Sequence, residues 1–243
     1  MRSFKKDYIM PIYLPFIPAI ISFLGMFFAV VLAVLGWRAR FPFGAWPPMR
    51  FPWSIAGIVS IIVVLALVSL AAGIIGIYVL YKWIDRRNEH FKRVRFLYED
   101  IIDFLKEKGA EKEAKGIQRE LREMESQMDV KSAPLWIVLT IVFPPVIFYV
   151  LHFLTRDYFD HEKRENFLLE DISGAVNSAG GEYEFEGYDA VEDRNTILYI
   201  VLTIITLGIF GLYWIYAITK DPNKHFKRSS LAEERLLDAL EGL

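Results

Sequence analysis

The stretch GIIGIYVLYKWIDRRNEHFKR at 73–93 decides the fold, because within ten residues it passes from an uninterrupted apolar run into dense charge. Its ending, HFKR, returns at 225–228, and a close variant, HEKR, stands at 161–164. The likeness extends upstream. GIFGLYWIYAITKDPNKHFKR at 208–228 aligns Gly73 with Gly208, Gly76 with Gly211, Tyr78 with Tyr213 and Tyr81 with Tyr216. PPVIFYVLHFLTRDYFDHEKR at 144–164 is a looser copy, with Pro144 in place of the first glycine and Tyr149 on the shared tyrosine. After each histidine comes an amphipathic run: VRFLYEDIIDFL, ENFLLEDI or SSLAEERLLDAL. The chain reads as one unit written three times: an apolar segment, a charged joint and a surface helix.

Working outward, 54% of the 243 residues are hydrophobic while 24% are charged, a mixture that segregates into greasy and polar blocks. The net charge of −2 gives no overall attraction to nucleic acid. Without cysteine there is no disulfide, thiolate metal site or thiol nucleophile. The two glutamines, Gln118 and Gln127, among abundant Ile, Val, Glu, Lys and Arg lean toward a thermophile.

A bilayer core of about 30 Å takes about 20 apolar residues in a helix. Four blocks qualify: Phe16 to Trp37, Ile55 to Tyr81, Leu135 to Leu151 and Ile197 to Ile218. The first is too long for a signal peptide and Trp37-Arg38 is a poor cleavage site, so it reads as a retained anchor. Aromatic residues at the block ends, such as Trp53, Trp83, Trp136 and Trp214, suit the headgroup layer, and FPFGAWPPMRFPWS at 41–54 reads as an interfacial loop. Thirteen of the 28 Lys and Arg fall in 82–133, which places that segment, the N-terminal arm and the C-terminal tail in the cytoplasm. Segment 155–195, with twelve acidic residues against four basic, suits the outside.

The run RNTILYIVLTIITLGIFGLYWIYAITKDPNKHF at 194–226 resembles the prokaryotic membrane domains called domain of unknown function 4234. The resemblance rests on Thr206, Gly208, Gly211, Tyr213, Trp214 and Tyr216, followed by Asp221 and Asn223. It implies a small helical membrane protein and brings no chemistry with it.

Individual features then divide between structural and functional readings. Gly73 and Gly76, like Gly208 and Gly211, put two small residues one turn apart, for close helix packing or as a flexible point. Pro144 and Pro145 break the third block, giving a kinked span or a re-entrant hairpin; a span, the expectation here, sends HEKR outside. Ala110, Ala114, Ile117, Leu121, Met124 and Met128 follow heptad spacing, for an αα-hairpin or a helix that docks a partner. The cations Arg86, Arg87, Lys92, Arg93, Lys224, Lys227 and Arg228 set topology or bind lipid headgroups. His90, His161 and His225 suggest a metal, but each stands beside Lys and Arg, and a spanning third block parts His161 from the others, so no metal or other cofactor is expected.

Four segments follow: an anchor span with its aromatic loop (1–54), then repeat units at 55–133, 134–193 and 194–243. The fold class is an all-α, multi-pass membrane protein of about four hydrophobic segments, with amphipathic helices after the second, third and fourth. No Walker loop, HExxH or GxSxG accompanies them, so a non-enzymatic scaffold in the cell membrane is expected, with both termini cytoplasmic. Its partners are the bilayer and either a second copy or another membrane protein, and membrane shaping is a variant of the same role. A small transporter or channel is the alternative.

Overall fold

The first apolar block, opened by a 3₁₀ turn at Leu14–Phe16, forms α1 (Ile17–Arg40). The second forms the start of α2, which continues without a break from Ile55 to Glu107. Two helical segments, Leu14–Gly36 and Gly57–Glu107, are long and apolar enough to cross a membrane. Phe23, Met26 and Leu35 on α1, and Ile62, Leu67 and Leu70 on α2, all point outward, which suits lipid rather than water. Gly25 lets the two helices meet, since a Cβ there would fall 2.4 Å from Val68 Cγ1. This computed structural model describes residues 6–40, 55–126 and 129–243, without side chains at 37–40 and 55–56, and the described residues form no strand. The aromatic loop 41–54, the Trp37 side chain and Met128 lie outside them.

The third and fourth blocks are not single helices, and neither supplies one of the two helical segments long and apolar enough to cross a membrane. The third divides into α4 (Ala133–Val142) and α5 (Val146–Ser178) at Pro144 and Pro145. Instead of kinking, the chain turns back: the Trp136 ring lies 5.1 Å from Tyr149 and 5.5 Å from Phe153. The fourth divides into α6 (Thr196–Ile205), capped by the Asn195 side chain, and α7 (Ile209–Glu241). Its reversal depends on Gly208 at φ +92°, a left-handed backbone that disfavours other side chains. Tyr199 then meets Phe210 at 5.0 Å and Trp214 at 5.6 Å across the hairpin.

Beyond the apolar segments, α2, α5 and α7 form a three-helix head. α2 ends at Gly109, also left-handed at φ +88°, and α3 (Glu111–Ser126) folds back against it. Ala114, Ile117, Leu121 and Met124 enter the same core as Leu97, Ile101 and Leu105 of α2, Leu168, Leu169 and Ile172 of α5, and Leu236 and Leu240 of α7. Among the described residues the heptad stripe of α3 is therefore buried inside the head as an αα-hairpin. Tyr183, Phe185 and Tyr188 of the acidic segment join this core. Segments 82–126 and 158–190 thus share one interior, so the expected separation of HEKR from the other two histidine joints does not hold.

The chain forms two compact units. One runs to Ile12 and resumes over Leu80–Leu243, and the other is Tyr13–Val79.

Candidate functional site

Each of the three long helices carries one histidine on the stripe that continues into the core. On α5 the stripe runs His161, Glu165, Leu168, Ile172; on α7 it runs His225, Ser229, Ala232, Leu236; on α2 it runs His90, Val94, Leu97, Ile101. Those four- and three-residue steps keep one helix face inward, so the helices bring all three imidazoles together. His90 Nε2 lies 3.1 Å from His161 Nε2 and 3.0 Å from His225 Nε2. Glu165 Oε2 closes the group at 3.7 Å from His161 Nε2 and 3.5 Å from His225 Nε2. All four residues are buried, and their ligand atoms lie within 4.8 Å of one another.

Carboxylates stand behind two of the imidazoles. His90 Nδ1 is 2.9 Å from Asp7, and His225 Nδ1 is 2.8 Å from Glu162. A proton on each Nδ1, donated to the carboxylate, turns the Nε2 lone pair inward. His161 Nδ1 is buried with no hydrogen-bond partner among the described residues. Burial pushes the His90 imidazole below the usual histidine range, against the pull of Asp7. Burial, joined by the neighbouring imidazoles, pushes His161 well below it.

Glu165 is fixed from three directions. Its Oε1 accepts from Tyr98 Oη at 2.9 Å and Ser229 Oγ at 3.0 Å, and its Oε2 accepts from Tyr188 Oη at 2.5 Å. Burial opposes its charge, but the neighbouring histidines and the two tyrosine hydroxyls outweigh burial and hold the carboxyl below its usual range. Glu162 is held by the Ala190 and Val191 backbone N–H groups at 2.7 and 2.9 Å, so the 180–195 segment wraps the site. Asp7 accepts from Arg93, which also donates to Glu233. Burial disfavours the Asp7 anion, yet the His90 and Arg93 bonds hold its carboxyl at about 2.

A proline sets the local frame. Pro222 sits inside α7 and has no N–H to give the Ile218 carbonyl four residues back. Arg86 Nη2 donates to that carbonyl at 2.7 Å, and its Nη1 donates to Asn223 Oδ1 at 3.1 Å. Asn223 also pairs with both backbone groups of Met10, at 3.0 and 2.7 Å, which seats the 6–12 segment that carries Asp7.

Most of the basic neighbours are turned away from this cluster or paired elsewhere, although Arg87 and Arg93 disfavour positive charge on His161. Lys92, Lys163 and Lys227, each two residues past a histidine, are turned away by the helical pitch, and they and Arg228 are exposed. Arg86 and Arg93 are committed as described, and Arg87 pairs with Asp157 at 2.6 Å. Lys224 stays at the surface, donating to the Asp189 carbonyl at 3.2 Å. A Cβ on Gly73 or Gly76 would meet nothing within 4 Å, whereas one on Gly211 would lie 3.2 Å from Thr203 Cγ2, so Gly211 closes α7 onto α6. Gly208 is a turn residue rather than a packing one. Asp7, Glu162, Glu165, Tyr98 and Tyr188 are absent from the sequence-based candidates. The four-residue step from His161 to Glu165, in phase with the apolar stripe, is the signal that could have found Glu165.

The four-atom group offers three imidazole nitrogens and a carboxylate oxygen, a donor set able to share a proton or hold a metal ion. Residues 194–237, which include His225, Ser229 and Glu233, match the family model described as Domain of unknown function (DUF4234). No curated protein and no solved structure matches the chain.

Proposed function

We propose that this chain is a non-enzymatic integral membrane scaffold that holds a helical head at the cytoplasmic face of the cell membrane. In this reading α1 and the apolar half of α2 span the bilayer, while the α4–α5 and α6–α7 hairpins enter and leave the cytoplasmic leaflet. α4 and α6 are ten residues each, about 15 Å, or half of a hydrocarbon core. Their outward side chains, among them Leu135, Val138, Ile197 and Val201, are exposed apolar groups.

The observation that carries the reading is how the hairpin tips treat their backbone. A re-entrant tip fails in lipid if it leaves N–H groups unpaired. Pro144 and Pro145 have none, and the N–H groups of Phe143, Val146, Ile147 and Phe148 bond within the hairpin. At the other tip Thr206, Leu207, Gly208 and Ile209 bond to nearby carbonyls, and Phe210 bonds to Thr206 Oγ1. Leu207, 94% exposed, crowns this satisfied turn. The arrangement also puts every Lys and Arg outside 38–53 on one side, as the positive-inside rule favours. After each apolar part it repeats one plan: H-x-K-R joint, then inward helix. Two hairpins in a single leaflet widen that leaflet, which is the membrane-shaping variant.

Since the natural chain has no cysteine, single cysteines report topology. In sealed vesicles of known orientation, Glu170→Cys is expected to label from the cytoplasmic side only, and Leu207→Cys from neither side. Labelling of Glu170→Cys from the outside would overturn the reading.

A further inference from the structure

We propose that His90, His161 and His225, through Nε2, and Glu165, through a carboxylate oxygen, bind one divalent d-block cation such as Zn²⁺ that pins α2, α5 and α7 together.

Geometry comes first. Zn–N bonds of about 2.0–2.1 Å in a tetrahedron put neighbouring nitrogens about 3.3 Å apart. The Nε2 atoms of His161 and His225 lie 3.1 and 3.0 Å from that of His90, and Glu165 Oε2 stands 3.5–3.7 Å from those of His225 and His161. All four ligand atoms lie within 4.8 Å of one another, so binding one ion draws the more distant of them inward.

Tautomers come second. The carboxylates behind His90 and His225 direct both Nε2 lone pairs inward, where they face each other at 3.0 Å. Two lone pairs at that distance repel unless a proton or a metal ion lies between them. A carboxylate behind a metal-bound imidazole is also the usual arrangement that orients such a ligand.

Charge comes third. Three carboxylates, those of Glu162, Glu165 and Glu233, are buried around the histidines and that of Asp7 is half-buried beside them, and among the described residues Arg93 is the guanidinium that pairs with Asp7 and Glu233. Arg87, the next one, is occupied by Asp157. With neutral imidazoles the cluster carries an excess of negative charge out of water, which is costly unless compensated. A divalent cation supplies that compensation where the lone pairs converge. The ligand set is imidazole-rich, which favours Zn²⁺ and its d-block neighbours over Mg²⁺ or Ca²⁺. With four protein ligands in place the site is closed, so its role is structural.

The test uses the full chain in detergent, stripped with a chelator and titrated with Zn²⁺ or Co²⁺. The expected results are a single ion per chain, the intense visible bands of four-coordinate Co²⁺, a higher thermal midpoint with Zn²⁺, and no response to Mg²⁺. His161→Ala should lose the ion. Glu162→Gln, which keeps every ligand but weakens the support behind His225, should lower Zn²⁺ affinity roughly 10- to 100-fold. The proposal is overturned if the folded wild-type protein takes up no Co²⁺, if the bound Co²⁺ shows the weak six-coordinate spectrum, or if His161→Ala binds as the wild type does. Should His161→Ala not fold, the wild-type Co²⁺ spectrum and the Glu162→Gln affinity decide. Failure here leaves the membrane topology standing, since cysteine labelling tests that separately.

Discussion

The same three helices build two adjoining levels of the head in opposite ways. One level is apolar: Leu97, Ile101 and Leu105 of α2 meet Leu168, Ile172 and Ala175 of α5, and Leu236 and Leu240 of α7. The other holds His90, His161, His225 and Glu165, equally buried, with carboxylates behind them. The first level stabilises by removing hydrocarbon from water. The second desolvates charges, and such clusters often contribute no more than apolar residues of the same volume would. Keeping a costly polar layer one turn from an ordinary core teaches that the layer serves something other than packing, which the proposed cation supplies.

The contrast can be broken, beginning with the largest effect. Leu169→Ala, at a fully buried position, should cost about 2–5 kcal/mol in denaturant unfolding of the head, with or without Zn²⁺. Glu165→Gln should cost about 1–3 kcal/mol without metal, because Tyr98, Tyr188 and Ser229 compete for a poorer acceptor. It should also abolish most of the Zn²⁺-dependent rise in midpoint. If Zn²⁺ raises the midpoint of Glu165→Gln as much as that of wild type, the difference between the levels loses its explanation. Gly208→Ala, placing a side chain at φ +92°, should cost about 1–2 kcal/mol and loosen the α6–α7 turn, read by faster exchange of the Leu207 and Ile209 amides. Lys227→Ala, at an exposed position, should move stability by less than about 0.5 kcal/mol.

Alkali sharpens the contrast from the apolar side. Burial pushes the Tyr183 hydroxyl up to about 12, so the folded chain keeps that proton longer than the unfolded chain does. The resulting stability is fully present below the unfolded value near 10 and is lost as pH rises toward about 12. Unfolding titrations across that window should show the decline, and Tyr183→Phe should reduce it.

Much of the fold was legible in the sequence. Uninterrupted apolar length marked the two helices long enough to cross a membrane, Gly109 marked the end of α2, the heptad steps marked the inward face of α3, and the prolines marked the break at 144–145. The three matching phrases likewise marked the three histidines that now meet. Misreading came where direction mattered. Hydropathy sums composition and is the same for a span and for a hairpin folded on itself, so Gly208 inside an apolar run looked like a packing glycine. The lysines two residues past each histidine looked repulsive because adjacency in sequence was taken for adjacency in space, although residues two apart on a helix face different ways.

The sequence by itself determined that this chain is helical, that it carries apolar segments long enough for a bilayer, and where its helices change character, because those properties are sums over neighbouring residues. Only the tertiary structure decided that the third and fourth blocks turn back, and that Asp7, His90, His161, Glu165 and His225, spread over most of the chain, converge. Convergence depends on the relative rotation of three helices and on a few turn residues, and no local pattern encodes an angle between distant segments.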